Sequence, residues 1–319
     1  MNSKSLRIVF MGTPAFAVGI LDRMLQEGMH VVSVVTAVDK PSGRGQQLNQ
    51  SAVKQYALEK GLPLLQPERL KEEQFTTSLT ELNADLFIVV AFRMLPEQVW
   101  SIPPKGTINL HASLLPNYRG AAPINWAIMN GEIETGVTTF FIEHSIDTGN
   151  IIEQTTVPIA MDDTAGTLHD KLMVTGAELI VQTIKQIEQN NIEVTKQETR
   201  LTGKEKMAPK LFKEDGKIDW RNSKMAIYNH IRGLSPYPCA WCTILSANGE
   251  QKNIKIYKAI LSDKTYVNTA EIVQEDAKLF FPCGDGYIEV VELQMEGKRK
   301  MTTREFLTGN SLQNYSVQF

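Results

Sequence analysis

Residues 6–35, LRIVFMGTPAFAVGILDRMLQEGMHVVSVV, decide the fold. Leu6 to Met11 is an apolar run that stops at Gly12-Thr13-Pro14. A stretch of helical period follows from Ala15 to Gln26 and ends near Gly28. Val31 to Val35 is then apolar again, apart from Ser33. Short apolar runs bounded by turn residues are the pattern of strands covered on both faces, so the order reads strand, helix, strand. That unit predicts an α/β domain built on a Rossmann-like, mostly parallel sheet. Gly12 does not open a dinucleotide fingerprint. The pattern G-x-G-x-x-G needs glycines where this chain has Pro14 and Ala17 or Val18, so Gly12 is assigned to a tight strand-to-helix turn.

The same texture continues outward. Ser51 to Lys60 reads as helix, Leu62 to Leu65 as a short strand and Glu68 to Leu82 as helix. Asp85 to Phe92, DLFIVVAF, is the strongest strand and is expected at the centre of the sheet. Its C-terminal end, Ala91 to Pro96, points where ligands bind in open α/β sheets. Further strands are expected at 107–111, at Gly136 to Glu143 and at Asn150 to Val157, with a helix from Ala122 to Met129. The last two strands form a hairpin-like pair around Asp147. Asp163 to Asn190 carries an apolar stripe of Leu168, Leu172, Ala177, Ile180, Ile184 and Ile187 at helical spacing; His169, on that helix, reads as a surface residue.

Residues 191–210 carry no strong pattern and read as a linker with one strand. After Ile218 the texture changes. A helix at Ser223 to Ile231 is followed by short strands at Trp241 to Leu245, Ile254 to Ala259, Ala270 to Val273, Lys278 to Phe281 and Tyr287 to Leu293. A short helix at Met301 to Leu307 closes the series. Short strands separated by turns argue a small β-barrel. The expected division is a catalytic domain at 1–190, a linker at 191–210 and a barrel domain at 211–319, and 319 residues suit two cores.

Composition narrows the function classes. Apolar content of 42% and charged content of 22% are those of a soluble globular protein. No run approaches the length of a membrane span, and the N-terminus has no signal-peptide core, so a cytoplasmic protein is expected. Three cysteines fit a reducing compartment. Cys239 and Cys242 form a C-x-x-C without the partners of a zinc site; on one strand their sulfurs would face opposite ways, as structural thiols. Residues 204–319 carry 17 Lys and Arg against 14 Asp and Glu, while the rest of the chain is acidic. A polyanionic partner would favour the C-terminal part, although ordinary variation in surface charge gives a similar split.

Chemistry concentrates in residues 106–149. Asn109 and His111 are two residues apart, which on a strand sends both side chains to one face. An amide that donates hydrogen bonds and an imidazole that titrates near neutral pH then address one spot. Asp147 follows in the turn Asp147-Thr148-Gly149. Asn, His and Asp at strand ends suit polarisation of a carbonyl and movement of a proton. Between them lie Ser113-Leu114-Leu115-Pro116 and Arg119-Gly120-Ala121-Ala122-Pro123, a loop with two leucines that read as exposed, where loops normally shed apolar surface. Asp39 to Gln50, DKPSGRGQQLNQ, is a second polar loop: either a solvated connector or a basic finger that orders on nucleic acid.

N-x-H, S-L-L-P, R-G-A-A-P, E-T-G-V-T and D-T-G in this order, with RIVFMGTPAFA at the start, resemble the folate-dependent formyltransferases. The resemblance runs from about residue 6 to the C-terminus and is densest over 106–149. It implies the formyltransferase fold followed by an OB-like barrel that binds tRNA. It implies transfer of a formyl group from 10-formyltetrahydrofolate, as co-substrate and without a metal, to the amino group of methionine on initiator methionyl-tRNA. The resemblance makes Asn109, His111 and Asp147 catalytic. Folate is placed against Phe92, Arg93, Met94 and Leu95, largely through backbone, and against Ser113, Leu114, Leu115 and Pro116. Arg93 departs from the pattern, which more often has a small residue there. The Asp39 to Gln50 loop matches an insertion that reaches for the tRNA acceptor end. Arg44 is its expected contact, with Lys40 and Lys210 as further tRNA contacts, and the chain is expected to act as a monomer.

In that chemistry Asn109 donates to the oxyanion, His111 polarises and transfers a proton, and Asp147 orients His111 and relays the proton. Three rivals remain open at this level: a small amine acceptor such as glycinamide ribonucleotide or an amino-sugar nucleotide, a dinucleotide-dependent oxidoreductase, and a non-catalytic RNA-binding protein. The second domain and the Arg44 loop argue against the first. The missing glycine fingerprint argues against the second, and the intact Asn109, His111 and Asp147 set against the third.

Overall fold

The computed structural model describes residues 5–42, 47–265 and 269–318. The chain folds into two compact units, one holding residues up to 120, 134–158 and 169–207, the other 121–133, 159–168 and from 208 onward.

In the first unit the chain runs β1 (Arg7–Gly12), α1 (Ala15–Gln26), β2 (His30–Val35), β3 (Lys40–Ser42), β4 (Gln47–Asn49), α2 (Ala52–Glu59), β5 (Leu64–Leu65), α3 (Glu73–Glu81), β6 (Leu86–Val90), α4 (Glu97–Trp100), β7 (Thr107–His111) and β8 (Arg119–Gly120). After α5 (Pro123–Met129) come β9 (Glu134–Phe141), β10 (Ile151–Pro158) and most of α6 (Ala165–Glu188). The sheet order is β10-β9-β7-β6-β1-β2-β5. The strands from β7 to β5 are parallel, and the β9–β10 hairpin is antiparallel on the β7 edge. This is the mostly parallel α/β sheet read from residues 6–35, with β6, buried at every position, inside it.

Packing follows the predicted stripes. Leu172, Ala177, Ile180, Ile184 and Ile187 of α6 are all buried. Each leucine or isoleucine side chain contributes roughly 1.5–3 kcal/mol on burial, so the helix is held by its apolar face. Boundaries differ where local chemistry intervenes. The expected helix at Glu68 begins only at Glu73, after Pro67 and a turn. The segment 39–50, read as a connector or finger, is founded on a two-stranded ribbon in which Lys40 pairs with Asn49 and Pro41 with Leu48. At its base Asp39 receives Lys54 Nζ at 2.6 Å and Gln66 Nε2 at 3.0 Å, and these donors hold its carboxyl below the usual carboxylate range.

The second unit holds α5, β11 (Met207–Ala208) only from Ala208 on, α7 (Lys224–Leu234), β12 (Ala240–Ser246), β13 (Gln251–Leu261), β14 (Val273–Glu275), β15 (Lys278–Cys283), β16 (Gly286–Met295), β17 (Met301–Thr302), α8 (Thr303–Gly309) and β18 (Tyr315–Val317). Its antiparallel sheet has the order β14-β15-β16-β13-β12-β18. The edges meet. Ile272 N donates to Tyr315 O and Val317 N to Ala270 O, so Ala270–Ile272, expected as a strand, joins β18 just before β14 begins. That curl makes the OB-like barrel. Trp220, Ile244, Ile254, Ile256, Leu279, Phe281, Ile288 and Leu293 fill it. The closing helix starts later than expected because Thr302 is its N-cap, in a capping box with Glu305.

Cys239 and Cys242 do not share one strand as expected. Cys239 precedes β12 with φ at 77°, so the strand alternation does not reach it, and both thiols are buried and unbonded to each other. Burial pushes Cys239 up to about 11 and Cys242 up to about 12, which keeps both as inert thiols. Among the described residues no helix is long and apolar enough to cross a membrane.

Candidate active site

The site lies in the first unit, where β7 ends. Asn109 pairs with Val89 of β6 and Phe140 of β9, and His111 pairs with Thr138, so sheet pairing fixes both residues. His111 is buried at 7% exposure. Its Nε2 lies 2.8 Å from the Tyr118 carbonyl oxygen. A carbonyl only accepts, so Nε2 carries the hydrogen and, in the neutral ring, Nδ1 carries the lone pair. Nδ1 faces Asp147 Oδ2 at 3.9 Å, too far for a direct hydrogen bond. The same carboxylate oxygen accepts from Gly120 N at 3.0 Å. The structure thus brings Asn109, His111 and Asp147 together, and the Tyr118 carbonyl, rather than Asp147, sets the histidine tautomer.

Asn109 Oδ1 is buried and has no hydrogen-bond partner among the described residues. A buried polar atom left so costs about 1–3 kcal/mol, and such atoms in native proteins call for an explanation such as a ligand. The backbone nearby is held in unusual conformations: φ is 46° at Ala91, 60° at Tyr118 and 54° at Asp147. Left-handed non-glycine residues cost about 1–3 kcal/mol each and collect at functional sites.

The glycines of the two motifs have steric reasons. A Cβ on Gly149 would lie 1.7 Å from the Phe141 carbonyl oxygen. One on Gly136 would lie 2.2 Å from Thr155 O and 2.5 Å from Leu114 Cδ2. Gly149 lets the Asp147 turn close on β9, and Gly136 makes room for the Leu114 side chain.

The two leucines expected to be exposed are not. Leu115 is 2% exposed and packs with Phe140 and Ile151, and Leu114 is half-buried. Polar stitching draws their loop inward. Thr138 Oγ1 donates to Ser113 O at 2.7 Å and accepts from Leu115 N at 3.2 Å. Gln154 Nε2 donates to Leu115 O at 2.9 Å, and Ser113 Oγ donates to Asn117 O at 2.7 Å. Pro116 is buried as well.

At the end of β6, Phe92 is half-buried, Met94 is 74% exposed and Leu95 packs into the core with Val99 and Phe87. Arg93 is turned away along the surface. It donates to Pro67 O at 2.6 Å and Glu68 O at 3.0 Å and lies over the Phe92 ring. Burial lowers its affinity for the proton from the ordinary arginine value, and its Nε finds no partner among the described residues.

Lys40 is exposed on the ribbon, and Arg44 lies outside the described residues. In the second unit Lys210 is exposed, with Nζ 5.5 Å from the centre of the Phe212 ring, itself 58% exposed. His169 lies edge-on to Phe16 and pairs with Asp170, away from the catalytic set in role and partners. Sequence reasoning missed Gln197. It is 1% exposed, and its Nε2 donates to Asp147 O and Gly149 O. Nothing in its local pattern marks it, since its partners lie about fifty residues away.

Comparison with known proteins identifies the family. The formyl transferase family model matches residues 6–184, and that of the formyl transferase C-terminal domain matches residues 210–311. The methionyl-tRNA formyltransferase of Bacteroides thetaiotaomicron is 48% identical over 312 residues, 97% of each chain. That of Flavobacterium johnsoniae is 52% identical over 307 residues, 96% of each chain. Among solved structures, WlaRD, a sugar 3N-formyl transferase crystallised with dTDP and 5-N-formyl-THF, superposes at a TM-score of 0.65 with 23% identity. That match covers 93% of this chain and 100% of that one and supports the fold. With such identity sustained over nearly its full length, the chain belongs to the methionyl-tRNA formyltransferases of the formyl transferase family.

Proposed function

We propose that Asn109, His111 and Asp147 carry the transfer of a formyl group from 10-formyltetrahydrofolate to the amino group of initiator methionyl-tRNA. Formyl transfer from a folate to a methionyl-tRNA is the activity of the family to which the chain belongs. The observation that carries the assignment is the buried carboxamide oxygen of Asn109, without a partner among the described residues, on the strand that also presents the Nδ1 face of His111.

The folate supplies an activated formyl group on N10. Asn109 donates an amide hydrogen to the formyl oxygen as the amine attacks the carbon and the charge moves onto oxygen. Its Oδ1 accepts an N–H of the incoming amine. His111 Nδ1 takes the proton that the nitrogen loses on forming the new C–N bond. The resulting imidazolium faces the Asp147 carboxylate, which stabilises it without itself becoming protonated. The proton is then returned to N10 as the C–N10 bond breaks. The 3.9 Å between Nδ1 and Oδ2 suits a bridging donor better than a direct bond.

For folate, the fit rests on the backbone of Phe92, Arg93, Met94 and Leu95 and on the stitched loop Ser113 to Pro116. The Arg93 side chain is engaged elsewhere, so a planar ring meets main chain there. For tRNA, Lys40 and Arg44 in the 39–50 segment and Lys210 beside Phe212 offer phosphate charge with an aromatic face, which suits single-stranded ends. The reading divides the chain into a catalytic domain at 1–190, a linker at 191–210 and a tRNA-binding barrel at 211–319, acting as a monomer in the cytoplasm.

The test offers 10-formyltetrahydrofolate with methionine-charged initiator tRNA and, in parallel, with glycinamide ribonucleotide or an amino-sugar nucleotide. Formylation of the charged tRNA alone is expected. Formylation of a small amine instead keeps the chemistry of Asn109, His111 and Asp147 and overturns the roles given to Lys210 and the ribbon.

A further inference from the structure

We propose that Gln197 is a positioning residue for formyl transfer, a buried amide that holds the Asp147 turn so that its carboxylate faces His111. The proposal rests on the assignment of Asp147 above.

All four hydrogen-bonding positions of the Gln197 side chain are engaged. Nε2 donates to Asp147 O at 3.0 Å and to Gly149 O at 2.7 Å. Oε1 accepts from Arg119 Nε at 3.2 Å and Arg119 Nη2 at 2.6 Å. Arg119 lies between Tyr118, whose carbonyl holds His111 Nε2, and Gly120, whose N–H holds Asp147 Oδ2. One amide therefore ties together the two backbone segments that orient the histidine and the aspartate.

Apart from Gly120 N on Asp147 Oδ2, the other holds on the turn lie at the surface. Residues 143–146 are exposed, Ile146 with 62% of its surface in water, and their holds are exposed ones: His144 lies edge-on to Trp100 and Thr148 Oγ1 donates to Ser145 O at 3.1 Å. Asp147 adopts a φ of 54°, which a non-glycine residue keeps only where the surroundings impose it. Two hydrogen bonds to the carbonyls on either side of Thr148, from a side chain at 1% exposure, impose it. Catalytic geometry needs this kind of restraint, because a displacement of about 1 Å can cost a hundredfold in rate.

Gln197→Glu separates this role from support of Arg119. The carboxylate still accepts from Arg119 but has no hydrogens for Asp147 O and Gly149 O. Gln197→Met keeps the volume, adds no charge and serves if the first variant fails to fold. Both are measured beside Asp147→Asn and the Asp147→Asn/Gln197→Glu double variant, which keeps the acceptor for Arg119, with thermal melting to establish folding. The expected result is a fall in kcat of about tenfold to a hundredfold in the Gln197 variants, with KM for 10-formyltetrahydrofolate unchanged. The double variant should be no slower than Asp147→Asn alone, because Gln197 acts through Asp147. A crippled Asp147→Asn beside full-rate Gln197 variants overturns this proposal alone, as do losses that multiply in the double variant. An Asp147→Asn enzyme at full rate overturns the assignment of Asp147 and this proposal with it.

Discussion

Around His111 the interior is polar. Ser113, Thr138 and Gln197 are buried with their hydrogen bonds made, His111 is buried beside a carboxylate, and Asn109 keeps a buried oxygen without a partner among the described residues. The interior of the barrel is filled instead by Ile244, Ile254, Ile256, Phe281, Ile288 and Leu293, and lysines of that unit stand over aromatic rings. The barrel core gains from every apolar side chain it covers. The site gives up part of that gain by keeping polar atoms dry and backbone strained, a cost that a bound substrate can offset by completing the bonding. The barrel unit has buried atoms without a partner among the described residues too, Trp220 Nε1 and His230 Nε2. The contrast teaches where to look for chemistry: where an unmatched buried polar atom coincides with a facing histidine and carboxylate on strained backbone, not at the largest core.

The largest effect that can break this contrast comes from the barrel. Phe281→Ala removes a fully buried ring stacked on Trp220 and should cost about 3–5 kcal/mol of stability. Denaturant unfolding measures that cost, and the formyl-transfer rate per folded molecule, with substrates saturating, should not change. A slowed chemical step in the folded variant would mean that the barrel core takes part in catalysis and that the contrast is false.

A smaller effect sharpens it. Burial holds His230 below its ordinary value of 6.5. Above that value the ring is neutral folded and unfolded, and the protein keeps its full stability. As pH falls through the window from 6.5 down to the depressed folded value, the unfolded chain binds the proton first and stability declines. His230→Gln should flatten the fall in stability over that window. An unchanged slope would assign the acid sensitivity to another group.

Much of the first unit was legible because its strands are buried on both faces. Leu86 to Val90 read as a strand from its apolar run, Thr107 to His111 as a short strand-like run beside it, and the α6 stripe from Leu168 to Ile187 from its period. The strand spacing also set Asn109 and His111 on one face. What stayed hidden depends on contacts distant in sequence. Leu114 and Leu115 look exposed in a loop, yet Thr138 and Gln154, on strands β9 and β10, pull that loop inward. The pairing of Lys40–Ser42 with Gln47–Asn49 was masked by polar residues with no strand alternation. Gln197 sits in a stretch without periodicity, and its partners are known only once the Asp147 turn has folded onto it. The histidine tautomer belongs to the same class, because it depends on a carbonyl presented by Tyr118 in a left-handed conformation.

The most direct test of the Asn109 assignment is the single-turnover rate of formyl transfer to methionine-charged initiator tRNA by Asn109→Ala, compared with the unaltered enzyme. Loss of one oxyanion donor predicts a fall of roughly a hundredfold to a thousandfold, with the protein folded and folate still bound. A fall of less than about tenfold would contradict it, because a donor aimed at the developing charge is worth more than that, and would leave the unpartnered oxygen of Asn109 without a role.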